Sequence, residues 1–198
     1  MPNDFKMSFT ATLLINGHPV RAMDEFTDLP VTVGAHAGNP TVDVSQALGV
    51  LMGPDAEWDS ERDSGLIDFH LLDTAPCSAC LLYFRHQQGK YRVYVRTGAY
   101  AGFGWYTCAD QVPRLQQGIS VPPPLWTLRH AYSDQVLTLD KMPTGRTPIC
   151  LEPPGAQRSI SLEGIGDRHN GGYLKVAGAG SRTRLSLNIV EREADWLA

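Results

Sequence analysis

Acidic residues are missing from one long interval of this chain. Between Asp73 and Asp110 there is no Asp or Glu at all. No run of eighteen apolar residues occurs either, which excludes a membrane-spanning helix of the ordinary kind. The opening Met1-Pro2-Asn3-Asp4-Phe5-Lys6 lacks the basic-then-apolar order of a secretory leader. The expectation is therefore a cytoplasmic chain, with leaderless export left open. Cysteines number only four, too few and too scattered for a small disulfide scaffold, so reduced thiols are expected. Two disulfides, in any of three connectivities, stay open. No phosphate-cradling glycine loop and no dinucleotide fingerprint is present.

The 198 residues suffice for one large domain or two small ones, and the 42% hydrophobic content is that of a globular protein. Nineteen glycines and fourteen prolines call for many turns and hence short strands. The net charge of −4 is unevenly spread: residues 1–73 hold twelve acids and three bases, residues 74–109 four bases and no acid, residues 110–198 nine acids and ten bases. The densest acidic run, Asp55 to Asp63, precedes the basic interval and reads as a solvated loop or as a cover for that interval. The low isoelectric point, about 5.8, argues against duplex nucleic acid as a partner.

Along the chain, residues 5–15 alternate apolar and polar as a half-buried strand does. Asn16-Gly17 is a strong hairpin turn, with Pro19–Met23 as its return. Leu29–Val33 and Leu66–Leu72 read as further strands. Val44, Ala47, Leu48 and Leu51 share one helical face, so a helix is expected there, stopped by Gly53-Pro54 and weakened by Gly49. Asp110 is placed to cap a short helix that Gly118 would end. Val121-Pro122-Pro123-Pro124 is extended by construction and is the candidate boundary between subdomains 1–120 and 121–198, which can equally form one continuous domain. Beyond it come strands at Leu125–His130, Gln135–Leu139, Pro148–Leu151, Ser159–Leu162, Tyr173–Val176 and Arg184–Val190, with Gly178-Ala179-Gly180 as a hairpin turn between the last two.

Cys77–Arg96 has two readings. In the first, Cys80–His86 and Tyr91–Arg96 form a hairpin turning at Gln88-Gly89. Phe84 then faces Val93 and Leu82 faces Val95 on a buried side, while Tyr83 meets Tyr94 and Arg85 meets Arg92 on the other. In the second, Cys77–Gln88 is a helix with Gly89 as its left-handed cap. The pattern favours the hairpin.

Pro76-Cys77-Ser78-Ala79-Cys80 places two thiolates within reach of one zinc. It resembles the second half of the zinc-dependent nucleobase deaminase signature, over residues 5–97 at most. That resemblance implies an α/β N-terminal half and a zinc held by Cys77, Cys80 and His36. The family's His-x-Glu is His36-Ala37-Gly38 here, so the carboxylate that would shuttle the proton is missing. A cysteine-hydrolase reading pairs Cys108, ahead of the expected short helix, with His169 as base. The short strands and Gly-aromatic loops also suit a lectin-like sugar binder, by fold analogy alone.

A binding face is the leading expectation. On the hairpin, Tyr83, Arg85, Arg92, Tyr94 and Arg96 share one side, and aromatic planes beside guanidinium groups hold flat anionic ligands or acidic protein surfaces. The sequence thus predicts a mainly β protein, sandwich or barrel-like, with one or two short helices. Its expected role is a non-catalytic interaction module for a protein partner or an anionic ligand. No cofactor is required, zinc belongs to the alternative, and self-association is left open.

Overall fold

The structure, a computed structural model, describes residues 3–34, 41–73, 78–155, 158–166, 170–178 and 180–196. Helix is scarce among them: α1 (Asn3–Lys6), α2 (Asp59–Asp63) and three short 3-10 turns. Strands β1 (Phe9–Ile15), β2 (His18–Pro19), β3 (Arg21–Ala22), β4 (Thr32–Val33), β5 (Val42–Asp43) and β6 (Leu48–Leu51) precede the acidic run. The middle supplies β7 (Leu82–Gln87), β8 (Lys90–Val95), β9 (Gly104–Tyr106) and β10 (Arg114–Gln116). After the prolines come β11 (Thr127–His130), β12 (Arg146–Glu152), β13 (Arg158–Gly164), β14 (Gly171–Gly178) and β15 (Leu185–Arg192).

The main sheet runs in the order β10-β9-β8-β7-β1-β15-β12-β11, with β2 paired to β1. All its ladders are antiparallel. It curls until β11 approaches β8. There the Tyr91 N–H donates to the Trp126 carbonyl (2.9 Å) and the Trp126 N–H to the Tyr91 carbonyl (2.7 Å). That exchange turns β8, β7, β1, β15, β12 and β11 into a barrel-like ring. Phe9, Leu13, Phe84, Tyr91, Val93, Leu128, Leu151 and Leu187 lie in its core, all fully buried. Phe9 and Phe84 stack at 4.8 Å between ring centroids, and the buried Tyr91 hydroxyl accepts the Leu139 N–H at 2.9 Å. Trp105 and Trp126 stack at 4.4 Å beside the closure.

A second sheet, β13-β14-β6-β3, packs on the first through Ala22, Leu48, Val50, Ile160, Leu174 and Val176, giving the sandwich-like layering. Its other side carries a separate apolar cluster around Met23, Phe26, Trp58, Phe69 and Tyr173. The mainly β expectation holds.

Five local expectations need correction. Gln135–Leu139 is not a strand: only Val136 bridges, to Arg129, and a 3-10 turn starts at Leu139. Residues 44–51 are not a helix: Leu48–Leu51 is strand β6, buried along its whole length. Leu48 and Val50 face one core while Ala47 and Leu51 face the other, so the run lacks the alternation that marks a one-sided strand. Residues 5–8 are not strand; α1 and a turn closed by the Ser8 N–H on the Phe5 carbonyl (2.9 Å) precede β1, and Phe5 is 47% exposed. No helix follows Asp110. Its carboxylate accepts the Val112 N–H at 3.1 Å and pairs with Arg114 at 2.6 Å, turning the chain into strand β10. Finally, β14 and β15 belong to different sheets, so the chain crosses between layers after Gly178 rather than forming a hairpin. Leu66–Leu72 keeps the expected alternation, with Ile67 and Phe69 buried, but it joins the fold by a single bridge, Leu71 to Thr27.

Gly49 has a reason to be glycine that a helix would not give. It lies between Arg21 of β3 and Tyr173 of β14, and a Cβ there would strike the Gly172 carbonyl and the Met23 sulfur and lie 2.9 Å from the Tyr173 Cα. Two of those three atoms are backbone and cannot rotate away. Gly49→Ala is expected to destabilise the protein by about 3 kcal/mol, the upper end for overpacking. Urea denaturation should show a lower midpoint with unchanged slope; an unaltered midpoint would contradict this packing.

Candidate functional site

The acid-free interval folds as the hairpin, not as the helix that would have opened at Cys77. Gln88 (φ 53°) and Gly89 (φ 75°) both sit in the left-handed region that a two-residue turn between twisted strands requires. The pairing is Leu82–Val95, Tyr83–Tyr94, Phe84–Val93 and Arg85–Arg92, as the pattern indicates. Leu82, Phe84, Val93 and Val95 point into the core. Side-chain alternation then puts Tyr83, Arg85, Arg92 and Tyr94 on the outer face, with Arg96 just past the end of β8.

That face is partly covered from within the chain, and the covers come from distant sequence. The proline segment lies across β8 and β9. Arg92 donates to the Pro123 carbonyl and, through Nε, to the Gln87 side chain at 2.9 Å. The Tyr106 hydroxyl donates to the Val121 carbonyl at 2.9 Å. A Cβ at Gly104 would collide with the Pro123 ring, so only glycine lets the strap lie this close. Arg92 thus stays directly opposite Arg85 in the ladder, an arrangement unfavourable for like charges, with its guanidinium held by the Gln87 side chain and the Pro123 carbonyl.

At the other end, Trp196 caps the tyrosines. Its ring centroid is 5.4 Å from that of Tyr83 and 5.4 Å from that of Tyr94. The Arg96 guanidinium lies 5.6 Å from the same indole, in cation–π range, and donates to the Trp196 carbonyl. Tyr83 is consequently buried, and that burial raises its phenol pKa above the ordinary value.

Arg85 is what the covers leave. Its side chain is exposed, and no described residue forms a hydrogen bond or ion pair with it. It borders a pocket of about 370 Å³ shared with Asp4, Phe5, Ser8, Tyr83, Asp195 and Trp196. Of the two carboxylates there, Asp4 is engaged with His86 Nδ1 at 3.2 Å. Ser8 donates to the Asp4 carbonyl at 2.6 Å and accepts the His86 N–H at 3.0 Å, so its hydroxyl is held in place rather than primed as a nucleophile. The arrangement offers an aromatic wall, a cation and a recess. It is suited to binding.

The other candidate residues are dispersed. His36, Cys77 and His169 lie outside the described residues. Cys80 is buried, and its thiol is pushed up to about 12 by that burial and by nearby Glu25. Cys108 accepts the Gln116 amide at 3.5 Å, and the short helix expected after it is absent, the chain turning into strand β10 instead. Among the described residues no group of three or more His, Cys, Asp or Glu is placed to hold a metal ion. Trp58, Trp105 and Trp126 are core residues, which leaves Trp196 as the indole at the surface. Nothing in the sequence marks Trp196 as part of this face, since it lies a hundred positions from Arg96.

No family model, curated protein or solved structure matches this chain.

A second polar cluster adjoins the hairpin. Arg21 bridges Glu25 at 2.8 Å and the Ser78 carbonyl, and Tyr100 donates to Asp24. The second Asp24 oxygen is buried without a partner among the described residues. Burial raises the Asp24 pKa above 3.8, outweighing the lowering by the Tyr100 hydrogen bond. A raised carboxylate disfavours the charged form in the fold, so the parent loses stability as pH rises from the ordinary value through the raised one. Asp24→Asn keeps an acceptor for Tyr100 without the charge. Its stability relative to the parent is expected to be higher at pH 7 than at pH 3.5 in matched urea titrations; an equal difference at both would contradict the shift.

Proposed function

We propose that this protein is a non-catalytic binding module. It would take an acidic protein partner, or another anionic ligand, at the Arg85 pocket beside the tyrosine–tryptophan stack. The observation that carries this reading is the contrast among the three arginines of the face. Arg92 and Arg96 are turned onto backbone carbonyls of the chain itself, whereas Arg85 stands open at the mouth of an aromatic-walled recess. An exposed guanidinium against apolar walls supplies a directed, salt-sensitive attraction for carboxylates or phosphates.

The acid-free stretch fits this reading, because the hairpin supplies no acid of its own; of the carboxylates that line the recess from elsewhere, Asp4 is engaged with His86. Aromatic and arginine residues together are also the commonest energetic anchors of protein interfaces.

The test is a single charge reversal, since altering Arg92 as well would disturb the proline strap. Arg85→Glu, used as bait beside the parent in a quantitative pull-down, is expected to lose the ligand retained by the parent. The weakening should be tenfold or more, as removing an interface anchor costs about 2 kcal/mol or more. Retention by the parent should also fall as salt rises. Identical profiles for the two baits would contradict the proposal.

A further inference from the structure

We infer that the Tyr83–Tyr94–Arg96 slot is a receptor for an acidic–aromatic peptide segment, occupied here in cis by the chain's own Asp195-Trp196. This rests on the binding-module reading and gives its ligand a chemistry.

Trp196 is held as a ligand is held. Its ring lies against two tyrosine rings, a guanidinium meets the same indole, and its main-chain carbonyl accepts from Arg96. Each of those contacts is available to any peptide with an aromatic residue in that place. The neighbouring Asp195 lines the same recess as Arg85, so the slot and the open cation together suit an acid followed by an aromatic.

The core is complete without this tryptophan. Trp58, Trp105 and Trp126 are all 0% exposed, whereas Trp196 is only partly buried and lies on the outer side of strands whose inner side is already packed. The tail is tethered just before it. Glu193 adopts φ 55°, which turns the chain out of β15, and the buried Ala194 anchors it by donating to the Ser8 carbonyl at 3.0 Å. A tether ending two residues away holds Trp196 at an effective concentration in the millimolar range. A peptide added in trans must outcompete it, so the slot is masked in the intact chain.

The probe is a fluorescein-labelled peptide with the sequence of residues 193–198, Glu-Ala-Asp-Trp-Leu-Ala, followed by fluorescence polarisation. Trp196→Ala in the full chain is expected to bind it at least tenfold more tightly than the parent does. Adding Arg96→Gln, or replacing the peptide's tryptophan by alanine, should abolish that gain. A chain shortened to end at Ala194 keeps the Ser8 anchor and serves as the second variant. The inference is overturned if neither variant binds better than the parent, or if both fail to fold, because Trp196 would then be core rather than occupant. If the peptide fails while the Arg85-dependent pull-down holds, only this inference falls; if Arg85→Glu is silent as well, both fall.

Discussion

The register of the β7–β8 hairpin is the constraint on which the rest of the molecule depends. Side chains alternate with a period of two, so a slip of one residue would carry Leu82, Phe84, Val93 and Val95 to the surface and drive two arginines inward. The Gln88-Gly89 turn, with both residues in the left-handed region, fixes that register locally. Burial enforces it from the other side, since the four inward residues are at most 1% exposed. Once set, the hairpin pairs with β1 through β7 and meets Trp126 through Tyr91, which closes the ring. Barrel and outer face are two sides of one pairing.

The outer edge of β8 serves two neighbours: Trp126 at the Tyr91 end and Gly104 of β9 at the Tyr94 end. The chain between those neighbours includes the prolines, which can lie on a sheet without needing backbone donors of their own. Their free carbonyls are acceptors, and Arg92 uses one. At the far side the tail does the same for Arg96. Two of the three clustered cations thus donate to backbone carbonyls of the chain itself. The hairpin itself contributes no acid to this face; the carboxylates of the recess, Asp4 and Asp195, come from distant segments.

Much of this was legible in the residues themselves. The hairpin and its register follow from alternation and turn chemistry, as does the Asn16-Gly17 turn, where Asn16 and Gly17 have φ of 51° and 88°. Most of the later strands lie within a few residues of their expected spans, but Gln135–Leu139 is no strand: Val136 makes a lone bridge to Arg129 and a 3-10 turn begins at Leu139. The failures have physical causes. Leu48–Leu51 is buried on both faces, so its periodicity carries no strand signal and a helical one appears by chance. Around Asp110, a local side-chain turn and an ion pair with Arg114 override capping statistics. The candidate face was found, but its covers were not. Trp196 over Tyr83 and Pro123 over Gly104 are contacts between distant segments, and no local pattern announces them.

The central claim is that the outer face is built by the Tyr83–Tyr94 pairing and capped by Trp196, with Arg85 left open. Proton NOE spectroscopy of the parent in solution tests it most directly. Ring centroids 5.4 Å apart predict cross-peaks from the Trp196 indole to the ring protons of both Tyr83 and Tyr94. A Trp196 indole with random-coil shifts and no cross-peak to either tyrosine would contradict the account.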